Sequence, residues 1–338
     1  MGLGGALAVA VVAGIAWGAV PLPPGTVLGV LARHLGVPGV AATWPPAQDA
    51  IVWQLRVPRV LAGALVGAAL ATSGALFQGL FRNPMADPYV LGISSGAAFG
   101  ATLALSLPRA AAWAGLGLVP AAAFAGALGA AAVVYGVARR GPRLATADLL
   151  LAGFAVAAVL GAATTVLLVL NDRLLLRLRA VFAWMAGGIA VGGWGQLGVT
   201  VPLILGGLLL AFTLGGWLDA FLLGEEGAAS VGVPVERAKR LTVTVAALLT
   251  AAAVTLSGLV GFVGLLVPHA VRLVAGPSHR VLLPSAALGG AAFLVLADLL
   301  ARALFAPLEL PVGVLTALAG GPAFLVLLKR SRAPQGRG

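Results

Sequence analysis

The side chains able to carry chemistry are few and far apart. The chain has ten acidic residues, three histidines, two lysines and no cysteine. Without cysteine there is no disulfide, thiolate metal site or thiol nucleophile. His34, His269 and His279 have no partner at metal-ligand spacing. His269, beside Pro268 near a helix end, reads as a structurally satisfied histidine. A phosphate-binding loop needs Gly-Lys, but Lys239 and Lys329 follow Ala238 and Leu328, so no nucleotide is hydrolysed by that route. No Ser/His, Asp/Asp or histidine-rich constellation marks an intramembrane enzyme. Asp298 comes closest to an intramembrane acid, and Arg302 follows it at the spacing of a helical ion pair. An ion-coupled secondary transporter needs such an acid. That is the alternative reading, and only Asp298 would serve it.

The elements that position these groups follow from composition. The chain is 61% apolar and 9% charged, far from the balance of a soluble domain, so its solvent is lipid. A bilayer core of about 30 Å takes about 20 apolar residues per helix. The apolar runs lack the alternation of barrel strands, which leaves an all-α polytopic membrane protein. About ten transmembrane helices are expected, near 3–20, 58–80, 90–107, 113–137, 147–170, 195–214, 241–257, 258–275, 282–301 and 311–328. Residues 1–338 form a single transmembrane domain, with an outer loop at 21–57 and a cytoplasmic tail at 329–338. The first twenty residues carry no basic residue, unlike a signal peptide, and count as the first span.

The net charge of +11 would indicate nucleic acid in a soluble protein, but here the cations sit in the breaks between spans and report topology instead. One side collects 13 of the 21: Arg82, Arg139, Arg140, Arg143, Arg237, Lys239, Arg240, Arg272, Arg280, Lys329, Arg330, Arg332 and Arg337. The other side holds 8: Arg33, Arg56, Arg59, Arg109, Arg173, Arg177, Arg179 and Arg302. The excess places both termini in the cytoplasm. Arg173, Arg177 and Arg179 form an outer cluster with Asp172.

The seventh and eighth spans are interrupted by Ser257-Gly258, Gly261, Gly264 and Pro268. That pattern fits a helix that stops and restarts beside a pathway, and equally fits close packing through small residues. With no energy source in the chain, a partner must supply work through a shaped cytoplasmic loop. Residues 218–240 contain the best candidate, LGEEGAASVGVPVERAKR. Gly224 breaks the preceding helix, Glu225 and Glu226 sit where a helix N-terminus favours anions, and Gly232 and Pro234 end the segment. It reads as a short helix, a turn and a second helix, with Leu223, Gly224, Glu225, Glu226, Ala228, Ala229, Val231, Gly232 and Val233 as the docking surface.

This loop resembles the coupling loop of FecCD-type permeases, the importers of cobalamin, haem and ferric siderophores. RVPRVLAGALVGAALATSGALFQGLFRNPMADPYVLGISSGA at 56–97, GFVGLLVPHAVRLVAGPSHRVLLP at 261–284 and ADLLARALFAPLELPVGVLTALAGGPAF at 297–324 are similar to that family in the same order. The resemblance implies a type II ATP-binding cassette (ABC) importer permease in the inner membrane of a bacterium, paired with a second copy of itself. Two ATPase subunits carrying ATP and Mg would bind below, and a periplasmic or lipid-anchored substrate-binding protein above. The chain itself would have no catalytic residue, cofactor, metal or nucleic acid, and would contact only membrane lipid besides these partners. Arg56, Arg59 and Arg302 match family arginines that meet acids on the binding protein. A guanidinium suits that task by holding a carboxylate through two hydrogen bonds. The family's cytoplasmic gate corresponds to Asn83, Pro84, Met85, Thr146 and Ala147. From the residues alone, Asn83-Pro84 is a turn.

Overall fold

The computed structural model describes residues 2–18, 20–108, 112–113, 116–141, 143–304 and 308–331. Arg109, Arg332, Arg337 and the rest of the tail at 332–338 lie outside them.

Helix α1 (Leu3–Ala16) is followed by α2 (Pro24–His34) and α3 (Pro46–Ala50), which continues through a wide π turn at Ile51–Arg56 into α4 (Val57–Leu80). A 3-10 turn at Pro88–Leu91 leads into α5 (Ile93–Ser106). Strand β1 (Ala112–Trp113) pairs antiparallel with β2 (Leu116–Gly117) ahead of α6 (Leu118–Ala138), and β3 (Arg139–Arg140) pairs with β4 (Arg143–Leu144) after it. Then come α7 (Thr146–Leu170), α8 (Asp172–Leu176), α9 (Leu178–Met185) and α10 (Trp194–Thr213). The chain continues with α11 (Gly215–Phe221), α12 (Gly224–Ser230) and α13 (Val235–Ser257). It ends with α14 (Val263–Ala275), α15 (His279–Ala303) and α16 (Val312–Ser331).

Among the described residues, six helical stretches are long and apolar enough to cross a membrane: Pro46–Leu80, Leu118–Ala138, Thr146–Leu170, Trp194–Thr213, Val235–Ser257 and His279–Ala303. Four shorter apolar helices accompany them, Leu3–Ala16, Ile93–Ser106, Val263–Ala275 and Val312–Val326. At about 1.5 Å per residue the 13 residues of α14 cover about 20 Å, less than a bilayer core, so α14 starts inside the bundle.

Helix α4 is apolar on every side and almost wholly buried, as befits a helix enclosed by others. It packs against α13, α14 and α15. The contact with α15 is backbone on backbone: a Cβ on Gly67 would overlap the carbonyl oxygen of Gly290, and one on Gly290 that of Gly67. In lipid, such small-residue crossings supply van der Waals contact that apolar solvent cannot otherwise drive.

The segment expected as an outer loop at 21–57 folds into α2, α3 and the π turn, because Pro24 and Pro46 occupy first-turn positions pre-set for helix. The first span stops at Ala16, and the seventh starts at Val235, ahead of its apolar run. The interruption after α13 is real: Gly258 has φ 61° and Phe262 φ 68°, left-handed values that end one helix before the next begins. Gly258 lines a cavity, whereas Gly264 packs against Pro88 and the Leu70 carbonyl. Gly258 is closely packed as well, since a Cβ there would overlap the Trp184 carbonyl oxygen.

Candidate functional site

One end of the bundle gathers α11, α12, the β3–β4 pair and the turn after α4. Helix α12 is the short helix anticipated between Gly224 and Val231. Gly224 and Gly232 take φ 88° and 85°, so the chain turns sharply on both sides. The N–H groups of Gly232 and Val233 bond back to the carbonyls of Ala229 and Ala228, closing the helix with a Schellman motif. Ala228 is buried; Leu223, Glu225, Glu226, Ala229 and Val231 are exposed and Val233 is half-buried. The face so presented is small, apolar and bordered by carboxylates.

Lys239, in the first turns of α13, is only 3% exposed. Its Nζ donates to Glu225 Oε2 at 2.5 Å, to the Leu144 carbonyl at 3.0 Å and to Glu236 Oε1 at 3.5 Å. Glu236 Oε2 accepts the Leu144 N–H at 2.8 Å. Thr146, two residues beyond Leu144, opens α7, and the next residue, Ala147, is exposed. A cavity of about 30 Å³ lies among Arg82, Thr146, Phe221, Glu225 and Lys239. The structure thus brings Glu225, expected in the coupling loop, and Thr146, expected at the gate, around one water-sized space.

Helix α4 ends with Arg82 in the left-handed region, φ 49°, where glycine is usual. The Asn83 N–H reaches the Gln78 carbonyl, and Asn83 Oδ1 accepts the Met85 N–H at 2.9 Å, the turn that Asn-Pro predicts. Asn83 and Pro84 are exposed and Met85 is half-buried. The chain then climbs into the bundle. The Tyr89 hydroxyl donates to the Val260 carbonyl and accepts the Val260 N–H, both at 3.2 Å, tying this turn to the break between α13 and α14.

Asp219 on α11 caps α15: its Oδ1 accepts the His279 N–H at 2.5 Å and lies 2.9 Å from the ring Nδ1, while Oδ2 accepts the Ser278 hydroxyl. Partial burial raises the Asp219 carboxyl, but the bonds from His279 and Ser278 outweigh it and hold it below the usual carboxylate range. No cluster of metal-ligating side chains occurs among the described residues.

At the opposite end a cavity of about 810 Å³ is bordered by Arg56, Arg59, Arg302, Glu309 and the 255–258 segment. The three arginines gather here, but in different states. Arg56, 6% exposed, donates from Nη1 to the Ile15 and Ala16 carbonyls at 3.0 and 2.9 Å, and from Nη2 to the Val20 carbonyl. Arg302, 4% exposed, donates to the Gly14 and Trp17 carbonyls at 3.2 and 3.3 Å and pairs with Asp298 at 2.9 Å. Together they satisfy the carbonyls that the end of α1 leaves unpartnered, and their charge complements its dipole. Arg59 is more open and bridges Asp298 at 3.0 Å and Glu309 at 2.7 Å.

Sequence reasoning anticipated the Asp298–Arg302 pair from its spacing of four. It missed the Lys239 clasp, the Tyr89 tie and the Asp219 cap. Only the three-residue spacing of Glu236 and Lys239 signalled any of them.

A helical bundle whose ends carry a short exposed helix and an arginine-rimmed cavity has the form of a membrane transport permease. The family model described as the FecCD transport family matches residues 6–330. The cobalamin import system permease protein BtuC of Halobacterium salinarum is 46% identical over 312 residues, covering 92% of this chain and 80% of that protein. The hemin transport system permease protein HmuU of Yersinia pestis is 43% identical over 301 residues, 86% of this chain and 87% of its own length. A solved structure, described as a metal-chelate type ABC transporter in an inward-facing conformation, superposes with a TM-score of 0.76 at 30% identity. It covers 90% of this chain and 98% of that one. The chain belongs to the FecCD transport family and is the permease subunit of an ABC importer.

Proposed function

We propose that the chain forms a homodimeric, ten-span permease that moves a bulky metal chelate across the inner membrane of a bacterium by alternating access. The cargo class is cobalamin, haem or ferric siderophore, in keeping with the cobalamin, hemin and metal-chelate systems that its relatives serve. Both termini lie in the cytoplasm, where the charge excess falls. Two separate ATPase subunits bind α12 from below and carry the ATP and Mg; the permease adds no catalytic group. A substrate-binding protein docks around Arg59, the most open of the three arginines, with Arg56 and Arg302 holding the floor beneath it.

The observation that carries this reading is α12 itself. It exposes apolar and acidic residues on one face, buries Ala228 on the other, and reaches the start of α7 through Lys239. Pairing of two copies is supported by α7, the least buried of the six long helices, whose Leu151, Phe154, Val159, Val166 and Val169 are exposed. The test is reconstitution in liposomes with the ATPase and the binding protein. Uptake is expected only with both partners and ATP; uptake by the permease alone refutes the reading.

A further inference from the structure

We propose that Lys239 is the positioning residue through which movement of α12 reaches the start of α7. The inference rests on α12 being the ATPase-docking helix and adds how its displacement is transmitted. Lys239 has acceptors on three separate elements: Glu225 on α12, the Leu144 carbonyl on β4, and Glu236 on its own helix. Glu236 holds the Leu144 N–H, so both backbone groups of Leu144 are clasped from α13. Leu144 is itself buried and lies two residues ahead of Thr146.

An ammonium is the cation suited to this geometry, since its three donors rotate to meet acceptors that arrive from different directions. At 3% exposure it has little water to replace a lost partner. Withdrawal of α12 would leave the buried ammonium only the longer, 3.5 Å contact with Glu236 as a counter-ion, which is unfavourable, so α12 and α13 move together and β4, held to α13 at both backbone groups of Leu144, follows. An apolar contact would let the elements slide, whereas this one makes them move together. The 30 Å³ cavity beside Glu225, Lys239 and Thr146 supplies room for a small shift without a clash.

Because the chain has no cysteine, Thr146→Cys gives a unique reporter at the start of α7. The complete transporter is reconstituted in liposomes as wild type, Lys239→Met and Lys239→Arg, each with and without the reporter. Three quantities are read: ATPase retained on the permease, cargo moved per ATP hydrolysed, and the ATP-dependent change in reporter reactivity towards a water-soluble thiol reagent. Lys239→Met is expected to keep the ATPase bound and hydrolysing, to lose the reporter response, and to move about tenfold less cargo per ATP. Lys239→Arg restores most of both. A lysine that only stabilised the loop would lower the melting temperature and leave both ratios at wild-type values, and that result overturns the proposal. Should Lys239→Met fail to fold, Glu236→Met removes the acceptor of the Leu144 N–H and the 3.5 Å contact with Lys239, and keeps the Lys239 bonds to Glu225 and the Leu144 carbonyl; a reduced cargo ratio supports the proposal and an unchanged one overturns it. If even the wild type retains no ATPase, the docking role of α12 fails first, and the relay with it.

Discussion

The Arg59 guanidinium of α4 meets the Asp298 carboxylate of α15 at 3.0 Å, and the other oxygen of the same carboxylate holds Arg302 at 2.9 Å. Asp298 is thereby a counter-ion shared by two arginines. Asp298→Asn strips both guanidiniums of a buried partner and is expected to cost about 3–5 kcal/mol. A thermal melt in detergent checks the loss. Uptake by the folded fraction should still follow ATP rather than an ion gradient.

Burial separates the roles of the three arginines. Arg59→Gln should slow association of the binding protein, in a salt-dependent way, and cost less stability than loss of either buried arginine, because Arg59 is the most open of the three and Arg302 still pairs with Asp298. Arg56→Met and Arg302→Met instead leave the carbonyls at the end of α1 without donors. Those two variants should melt earlier. Stopped-flow association and thermal melts, run on all three, distinguish the cases.

The Tyr89 hydroxyl ties the 3-10 turn after α4 to the break at Val260 through two hydrogen bonds. Tyr89→Phe deletes both bonds and leaves two backbone groups unmet, at a cost of about 1–3 kcal/mol. Faster amide exchange at 258–262 is the expected signature.

Asp219 has a lowered carboxyl, so its contribution is present above the unfolded carboxylate pKa and is lost as pH falls through the lower folded value. The tie between α11 and α15 should hold at neutral pH and weaken only below about pH 4. Asp219→Ala should remove about 1 kcal/mol at neutral pH, the scale of a helix cap, and flatten the acid limb of a stability-against-pH curve.

The bundle was legible because long apolar runs admit one spanning solution, and the helix-turn-helix at 224–240 because glycines, carboxylates and proline mark its ends. The Asp298–Arg302 pair and the Asn83 turn were legible for the same reason: their determinants are local. Arg59 and Asp298 are 239 residues apart, and Lys239 and Leu144 are 95 apart. No spacing rule reaches that far. The resemblance matches Arg56, Arg59 and Arg302 to partner-facing arginines, but an unpartnered helix end draws cations as well. Only the packing of α1 against α4 and α15 shows that Arg56 and Arg302 answer to it.

The central claim is that work enters from a separate ATPase through α12. The most direct measurement is cargo uptake and ATP hydrolysis by the reconstituted complex, comparing wild type with Glu225 and Glu226 both changed to arginine. The account predicts that the ATPase no longer docks, so that uptake and its stimulation of hydrolysis collapse together. Uptake that persists without ATP and follows an ion gradient would contradict it.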